Sequence, residues 1–205
     1  MTRAQRGRPV GASGAETRQR IIVATMRCVA TAGYARATIR EIARTAKVTS
    51  ASLYNYFPNK AELIKAAVAA RTDIAVPRLQ QAAARPGTAI ARIEAVLDES
   101  GRLMREYPDL AAFEWVIRAE HAVALDGPAT GGFQAFREII DGIVEDAAHQ
   151  GGLAGGADQR GVAEAVYALI YGLTELAATL PPKDYHAALA SARQLIAGTL
   201  LGTHP

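Results

Sequence analysis

The sequence predicts an all-α fold in which a three-helix N-terminal domain precedes a larger all-helical domain, with about nine helices in total. Apolar residues recur at the three- and four-residue spacing of helices through most of the 205 residues. No segment shows the sustained two-residue alternation that is typical of an amphipathic strand. Proline and glycine pairs divide the chain into segments of helical length. We therefore expect helices joined by short turns, without a sheet.

The N-terminal helices are predicted from their start and stop signals. Residues 1–14 are basic and lack apolar periodicity, so they are interpreted as a flexible tail. Helix one is expected to begin near Ser13-x-x-Glu16, a pattern in which each side chain caps a backbone N–H of the first turn, and to end at Gly33. Pro58 ends the third helix because proline cannot continue the hydrogen-bond ladder. The later helix starts are Thr38-x-x-Glu41, Thr49 or Ser50, and Asn59-x-x-Glu62, the last opening a helix that reaches Pro77.

Beyond residue 77 the chain is alanine-rich and reads as five more helices. They are expected near residues 88–106, 109–124, 130–149, 159–179 and 183–200, between breaks that contain proline or paired glycines. This divides the chain into a tail over 1–14, an N-terminal domain over 15–58 and an all-helical domain over 59–205.

The composition indicates a globular protein. Half of the residues are apolar and 21% are charged, so the chain can bury a core. Cys28 is the single cysteine, which excludes an intrachain disulfide and a zinc site built from cysteines, and we interpret it as a small buried hydrophobe in preference to a reactive thiol. The N-terminus lacks the apolar region of a secretory signal, and the longest strongly apolar stretch, residues 165–173, is about half of a membrane span. We expect a soluble, cytoplasmic protein without a membrane partner.

The near-neutral total charge hides a division along the chain. The net charge is +3, but residues 1–72 hold 13 basic and three acidic residues, a net of +10. The remainder carries a net of −7. A strongly basic end favours a polyanionic partner, and an acidic remainder is repelled by one.

Residues 38–57 have the spacing of a helix-turn-helix. Ala43 is small at the point where the second helix must cross closely, while Ile42, Val48, Leu53 and Phe57 are apolar where the two helices share a core. The outward face of the second helix keeps polar side chains, and the DNA major groove, about 12 Å wide, admits such a helix.

In these residues the chain resembles the TetR family of bacterial transcriptional regulators. The resemblance rests on Thr38-Ile39-Arg40-Glu41-Ile42-Ala43, on Ala46-Lys47-Val48-Thr49, and on Leu53-Tyr54-Asn55-Tyr56-Phe57-Pro58-Asn59-Lys60, and it covers about residues 16–70. It implies a recognition helix at about 50–56 and contacts to a palindromic operator in double-stranded DNA. The implied DNA-binding residues are Thr38, Arg40, Lys47, Thr49, Ser50, Ser52, Tyr54, Asn55, Tyr56 and Lys60.

Those residues suit the implied roles. Thr38 and Lys60 are expected to hold phosphates, the two tyrosines to contact the DNA backbone or thymine methyl groups, and Arg40 and the recognition helix to reach base edges. The alternative is that Tyr54, Tyr56 and Phe57 are core aromatics of a small bundle. We favour DNA binding, because two tyrosines two positions apart on a helix cannot both face one core.

Two features of the basic end leave alternatives open. Lys47 lies where glycine is common in such motifs, so either it adopts a positive φ, which costs about 1 kcal/mol, or the turn differs slightly. The tail contains Arg6-Gly7-Arg8-Pro9, which either lies in a narrow minor groove or is an unstructured solubilising segment.

The acidic remainder is expected to dimerise and to bind a ligand. A single helix-turn-helix reads too short a site for useful specificity, so a homodimer is expected. The resemblance implies that the last two long helices pair across a two-fold axis, and the alternative is that their apolar stripes are only intramolecular core. The candidate dimerisation residues are Val166, Ile170, Leu173, Leu189, Ile196 and Leu200.

A small, partly apolar ligand is expected among the middle helices, where aromatic residues are concentrated with a few polar groups. That this domain binds a ligand rests mainly on the resemblance, because packing alone needs a similar number of aromatics. The candidate ligand-binding residues are Met104, Tyr107, Phe113, Glu114, Trp115, Arg118, His121, Phe136, Tyr167 and Tyr171.

No recognised catalytic motif is present, and the four histidines lack metal-ligand spacing. We therefore expect no enzymatic activity, no cofactor and no metal. The predicted function is that of a homodimeric repressor of palindromic operators that a small molecule releases from DNA. The alternative is a helical small-molecule-binding protein or enzyme whose basic end binds polyanions without sequence preference.

Overall fold

The computed structural model describes the backbone of residues 10–121, 131–153 and 156–198, and among these the side chains of residues 14–118, 134–153 and 156–198. All regular structure in these segments is helical, which confirms the predicted all-α class. The helices are α1 (Val10–Ala32), α2 (Ile39–Thr45), α3 (Ser50–Tyr54), α4 (Lys60–Ala83), α5 (Ala89–Glu106), α6 (Asp109–His121), α7 (Gly131–His149), α8 (Gln159–Thr179) and α9 (Pro182–Ile196).

Two hydrophobic cores organise these helices. The first, called here the N-terminal core, joins α1, α2, α3, the first half of α4 and one face of α6. The second, the body core, joins the second half of α4 with α5, α7, α8 and α9. Helix α4 contributes Leu63 and Ile64 to the N-terminal core and Leu79 to the body core. The first half of the chain is therefore fixed to the second through helices that serve both cores.

Helix α6 also connects the two parts. Its Phe113 and Ile117 are each only 1% exposed and pack in the N-terminal core. At the beginning of α6, Asp109 accepts a hydrogen bond from Arg27 of α1, with 3.2 Å between Nε and Oδ2. The long first helix thus rests on a helix of the body.

Three predicted helix boundaries differ from the structure, one of them the end of α9, which lies at Ile196 and not near residue 200. Helix α1 begins at Val10, so Ser13 lies inside the helix and does not cap it. Helix α4 continues past Pro77 to Ala83, although proline removes one ladder hydrogen bond. Leu79, Ala82 and Ala83 are buried beyond the proline. Burial of these side chains in the body core outweighs the local preference of proline to end a helix.

The predicted boundaries of α5, α7 and α8 agree with the structure to within a residue. Helix α8, with 21 residues, is the one helix among the described residues that is long and apolar enough to cross a membrane by length and composition alone. The comparison with a membrane span made from the sequence gave a different result, because it considered only the most apolar stretch of this helix, residues 165–173. In the structure α8 packs against α6, α7 and α9.

Candidate nucleic-acid interface and ligand cavity

Helices α2 and α3 form a helix-turn-helix with a tight turn. The N–H of Val48 donates to the carbonyl of Ala43 at 2.9 Å. Lys47 has a φ of 57° and is the only non-glycine residue with a positive φ in the described segments. Beneath the turn, Ile42 and Leu53 are fully buried in the N-terminal core. The positive φ at Lys47 is one of the two predicted alternatives, and it carries a strain of about 1 kcal/mol.

Both helices of the motif begin with a threonine cap. The Oγ1 of Thr38 accepts a hydrogen bond from the N–H of Glu41 at 3.2 Å, and the Oγ1 of Thr49 accepts one from Ser52 at 3.0 Å. Each hydroxyl accepts through a lone pair, so its own proton remains available to a phosphate oxygen outside the helix. The two threonines can therefore cap helices and donate to a ligand at the same time.

The predicted DNA-binding residues lie on the surface of this motif, and none is buried. Tyr54 is 52% exposed, an unusual fraction for a large aromatic ring. Tyr56 is half-buried and packs against the N-terminal core. Exposed members of the set are Thr38, Arg40, Lys47, Thr49, Tyr54 and Asn55, and half-buried members are Ser50, Ser52, Tyr56 and Lys60.

Lys60 is held against Tyr34. Its ammonium group donates to the backbone carbonyl of Tyr34 and lies 4.3 Å from the centre of that ring. The end of α1 and the beginning of α4 are thereby joined beside the helix-turn-helix. The cation lies at the N-terminus of α4, where backbone N–H groups also favour an anion.

One basic residue of this surface was missed by sequence reasoning. The side chain of Arg44 is 79% exposed and stands 3.9 Å from Glu41, between Nη2 and Oε1. Residues four apart share a face of a helix, so Arg44 lies on the same face of α2 as Arg40. The i, i+4 spacing of these arginines is the sequence signal that would have identified it.

A cavity of about 70 Å³ lies between α4, α5, α6, α7 and α8. Most of its wall is apolar, and the charged residues are confined to α4 and α6. The lining residues are Arg71, Ala75, Val76, Leu79, Ser100, Leu103, Met104, Leu110, Glu114, Arg118, Phe136, Ile170 and Thr174. Four predicted ligand-binding residues are brought together here: Met104, Glu114, Arg118 and Phe136.

The charged part of the cavity wall is a buried cluster of three residues. Glu114, only 6% exposed, pairs with Arg71 of α4 and with Arg118, whose Nε lies 2.9 Å from its Oε1. Burial and the nearby Arg118 cation lower the pKa of Arg71 to about 10. Both arginines remain charged at neutral pH, so the cluster places two positive charges against one negative charge.

Aromatic rings cover Arg118 on its other side. Its guanidinium lies 4.6 Å from the ring centre of Tyr171 and 5.9 Å from that of Tyr167. Trp115 meets Tyr171 edge-on, with 5.9 Å between the ring centres, and Phe136 packs against Tyr167. Burial lowers the pKa of Arg118, while the two tyrosines act in the opposite direction. These predicted residues therefore lie around the charged cluster.

Two predicted ligand-binding residues lie away from both the cavity and the charged cluster beside it. Phe113 is directed into the N-terminal core, because neighbouring positions on a helix face different directions. Tyr107 is 40% exposed at the end of α5. The side chain of His121 lies outside the described residues.

Arg71 is a cavity residue that lies within the basic segment over residues 1–72. It is 8% exposed, so it contributes nothing to a surface for phosphates. The available signal was its position in the apolar stripe of α4, four residues after Ala67 and eight before Leu79. A lone arginine in such a stripe indicates a buried partner.

Helices α8 and α9 present an apolar groove on the surface. It is lined by Leu169, Gly172, Leu173, Glu175, Leu176, Leu195 and small residues between them, and Leu195 is 48% exposed. Among the predicted dimerisation residues, Ile170, Leu173 and Leu189 are buried in the body core of their own protomer. Val166 and Ile196 are half-buried against it, and Leu200 lies outside the described residues. The surface available to a second chain is thus the neighbouring face.

In the described segments, no group of three or more histidine, cysteine, aspartate or glutamate side chains is placed to hold a metal ion. Cys28 is 7% exposed and its Sγ donates to Thr45 at 3.4 Å, which confirms its role as a small buried residue.

Comparison with known proteins agrees with the motif and the fold. The family model described as "Bacterial regulatory proteins, tetR family" matches residues 21–67. The chain is 29% identical over 136 residues, 66% of its length, to the HTH-type transcriptional repressor KstR of Mycolicibacterium smegmatis. It is 28% identical over 62% of its length to KstR of Mycobacterium tuberculosis. The matches span 65% and 56% of those two repressors, less than two thirds of each.

Solved structures share the architecture of the whole chain. The TetR family transcriptional regulator PfmR of Thermus thermophilus superposes with a TM-score of 0.72 at 16% identity, over 92% of this chain and 97% of PfmR. At this identity the likeness shows the fold. Residues 21–67 therefore match the DNA-binding domain of the TetR family of bacterial regulatory proteins, and the chain as a whole shares the fold of a TetR family regulator.

Proposed function

We propose that this protein is a homodimeric transcriptional repressor that binds a palindromic operator through α3 and leaves DNA when a small molecule occupies the cavity. The observation that carries the proposal is the exposed face of α2 and α3. Tyr54, Asn55 and Arg40 project from a motif whose other side is buried in the N-terminal core. A rigid helix with polar and aromatic side chains outward suits the major groove.

Phosphate contacts come from the edges of this face. The capping threonines each keep a hydroxyl proton, and Lys47 holds its charge at the turn between the helices. Arg44 extends the basic face of α2. Contacts of this kind position the motif, while Asn55 and Arg40 read base edges.

The test is selection of bound sequences from a random DNA pool, followed by mobility-shift titrations. Enrichment of an inverted repeat is expected, with half-sites about 34 Å or a multiple of it apart. Tyr54→Ala should weaken operator binding by about tenfold or more. Tyr107→Ala removes a similarly exposed tyrosine from the body and serves as the control. Salt-sensitive binding without sequence preference would instead support the alternative polyanion-binding protein.

The dimer is proposed to form through the apolar groove of α8 and α9. Gly172 has nothing within 4 Å of the position of a Cβ, so a second helix can approach its backbone closely. Leu169, Leu176 and Leu195 supply apolar area on both sides of it. Ile170 and Leu189 are buried in the body core next to this face, and Leu173 forms the base of the groove.

Sedimentation measures the oligomeric state directly. Wild-type protein is expected at twice the 21.6 kDa mass of the chain. Leu195→Arg should shift the equilibrium toward monomer, because a buried unpaired charge is costly. Ile90→Arg introduces the same charge at a position that is 45% exposed on α5, and it should leave the dimer intact. A wild-type monomer at micromolar concentration contradicts the proposed interface.

Release by a ligand follows from the position of the cavity. Its wall includes α4 and α6, and both helices also pack in the N-terminal core. A ligand that binds one arrangement of these helices more tightly than the other shifts the protein toward that arrangement. The size of the resulting change in DNA affinity is set by the difference between the ligand's affinities for the two arrangements. The proposed protein acts in the cytoplasm, where its operator lies.

A further inference from the structure

We infer that Arg18 of α1 binds an operator phosphate beside the end of the recognition helix α3, as a DNA contact from outside the helix-turn-helix. The inference rests on the proposed DNA-binding function and adds a residue to its surface. It follows from the place where Phe57 holds the guanidinium group, from the surroundings of that charge and from the N–H donors that the ring contact does not use.

The ring of Phe57 fixes the position of the Arg18 charge. The central carbon of the guanidinium lies 5.0 Å from the ring centre. Phe57 is only 3% exposed in the N-terminal core, and its N–H donates to the carbonyl of Leu53 in α3 at 3.0 Å. Its neighbours along the chain, Tyr56 and Pro58, reach the surface. The charge of Arg18 is therefore held beside the C-terminal end of the recognition helix.

No carboxylate compensates this charge among the described side chains. Arg18 is exposed, and none of the ion pairs in the described segments includes it. The nearest acidic residue in the sequence, Glu16, is two positions away, and residues at this spacing face different directions on a helix. Glu16 instead lines a groove together with Thr45 and Lys47. The Arg18 cation is therefore accessible to an anion from outside.

The other two arginines of α1 have their donors in use. Arg20 donates through Nη2 to the hydroxyl of Thr17 at 3.3 Å, and Arg27 donates to Asp109 of α6. The contact of Arg18 with Phe57 is of another kind, because an aromatic ring attracts a cation through its π-electrons and does not require a donated proton. An arginine carries five N–H donors, and two of them can bind the oxygens of one phosphate side by side.

A side chain that is already held in place binds a phosphate with a smaller loss of freedom. Arginine loses rotamer entropy when it is fixed by a ligand, and the contact with Phe57 accounts for part of this loss before DNA arrives. Phosphates border the groove that a recognition helix enters, so a cation at the end of that helix is close to the DNA backbone. Such a contact positions the motif on DNA without a preference for bases.

The experiment measures mobility shifts of full-length protein at several salt concentrations, on the inverted repeat that the wild type selects. Arg18→Gln and Arg18→Met both remove the charge, and methionine can still cover Phe57. Each should lower the slope of log affinity against log salt by about 0.9 for each protomer, about 1.8 for the proposed dimer. The loss of affinity relative to wild type should therefore shrink by about tenfold between about 50 and 200 mM salt.

Two further variants separate a phosphate contact from other effects. Arg27→Gln removes the same charge nine residues along α1, which is half a turn around the helix, and should leave the slope unchanged. Arg18→Lys keeps the charge and should keep the slope. An equal reduction in Arg27→Gln would assign the effect to the overall charge of the domain and overturn the contact. A slope as low in Arg18→Lys as in Arg18→Gln would assign it to the lost ring contact and overturn it as well.

Selection with wild-type protein separates this inference from the proposed function. If an inverted repeat is enriched but Arg18→Gln and Arg18→Met keep the wild-type slope, the Arg18 assignment is wrong and the proposed function stands. If no repeat is enriched, the proposed function fails, and the same slopes on a duplex of arbitrary sequence decide the Arg18 assignment. Circular dichroism confirms that each variant is folded, and none of the substitutions removes a buried side chain.

Discussion

Phe113 and Glu114 are consecutive residues of α6 that are buried in different parts of the protein. Phe113 packs in the N-terminal core with the helix-turn-helix, and Glu114 pairs with Arg71 and Arg118 at the cavity. Because a helix is stiff, neither side chain can be displaced far without moving the other. The cavity and the proposed DNA-binding domain therefore share one turn of backbone.

Truncation of Phe113 tests the strength of this connection. Phe113→Ala is expected to lower the free energy of unfolding by about 3–5 kcal/mol, because it removes a ring that is only 1% exposed and leaves a cavity. Denaturation in urea, followed by circular dichroism, measures the change. Tyr107→Ala, at an exposed site, should change stability by no more than about 0.5 kcal/mol. A similarly small effect at Phe113 would contradict its role in joining the two parts.

Substitutions at Lys47 separate backbone strain from charge. Lys47→Gly should be more stable than Lys47→Ala by about 1 kcal/mol, because glycine adopts a φ of 57° without the Cβ strain. Both variants lose the same charge, so both should reduce the slope of log affinity against log salt by about 0.9 for each protomer whose Lys47 neutralises one phosphate, about 1.8 for the proposed dimer. Urea denaturation and operator titrations at several salt concentrations measure the two effects. Equal stability of the two variants would mean that the turn relaxes without strain.

Thr49 allows capping to be distinguished from DNA contact. Thr49→Ala should cost about 0.5–2 kcal/mol of stability, since the N–H of Ser52 loses its acceptor. Thr49→Asp keeps an acceptor and should keep most of the stability. Its carboxylate repels phosphate and has no proton to donate, so operator affinity should fall further than in Thr49→Ala. Thermal melts and mobility shifts of the same preparations give both quantities.

Two helical glycines are expected to respond to alanine in opposite ways. A Cβ on Gly101 of α5 would lie 2.7 Å from Cδ2 of Leu189 on α9, so Gly101→Ala must displace a buried leucine. We expect a loss of about 1 kcal/mol or more. Gly142 of α7 has nothing within 4 Å of the same position, and Gly142→Ala should gain about 0.5–1 kcal/mol from helix propensity. A gain in both variants would indicate that α5 and α9 can separate.

Acid should destabilise the body through Glu99. Burial alone would raise the pKa of Glu99, but hydrogen bonds from Arg102 and Arg78 outweigh it and hold that pKa below its ordinary value of 4.5. Such a group stabilises the fold above pH 4.5 and loses this contribution as pH falls through the folded-state pKa. Glu99→Gln should lower stability at pH 7 by about 1–3 kcal/mol and flatten its dependence on acid pH. Glu106→Gln, at an exposed partner of Arg78, should have a smaller effect.

Local features of the fold were predictable, and those that depend on distant residues were not. The caps at Thr38, Thr49 and Asn59 follow from hydrogen bonds that span three residues, and each occurs where the sequence indicated. Pro77 has a clear local preference, but burial of the helix beyond it depends on α5 and α7. Rules that consider only neighbouring residues in the sequence cannot include the free energy of this burial.

The cavity and the dimer face show the same limit. Arg71 lies in the basic segment of the sequence, and its buried position was not predictable because its partner, Glu114, lies on another helix and is close only after folding. Helix α8 is apolar around much of its circumference, so periodicity could not say which leucines face the protomer's own core. In the structure Leu173 is buried at the base of the surface groove, and Leu169 and Leu176 are half-buried beside it.

The uninterrupted length of α4 has a geometric consequence. Its 24 residues extend about 36 Å, from Lys60 beside the helix-turn-helix to Ala83 in the body. A tilt of about 5° around one end displaces the other end by about 3 Å, by the rise per residue alone. A rearrangement around Arg71 too small to change the shape of the body is thus enlarged toward Lys60. In a two-fold dimer the same displacement would occur in both protomers. The two displacements would add in their effect on the distance between the recognition helices.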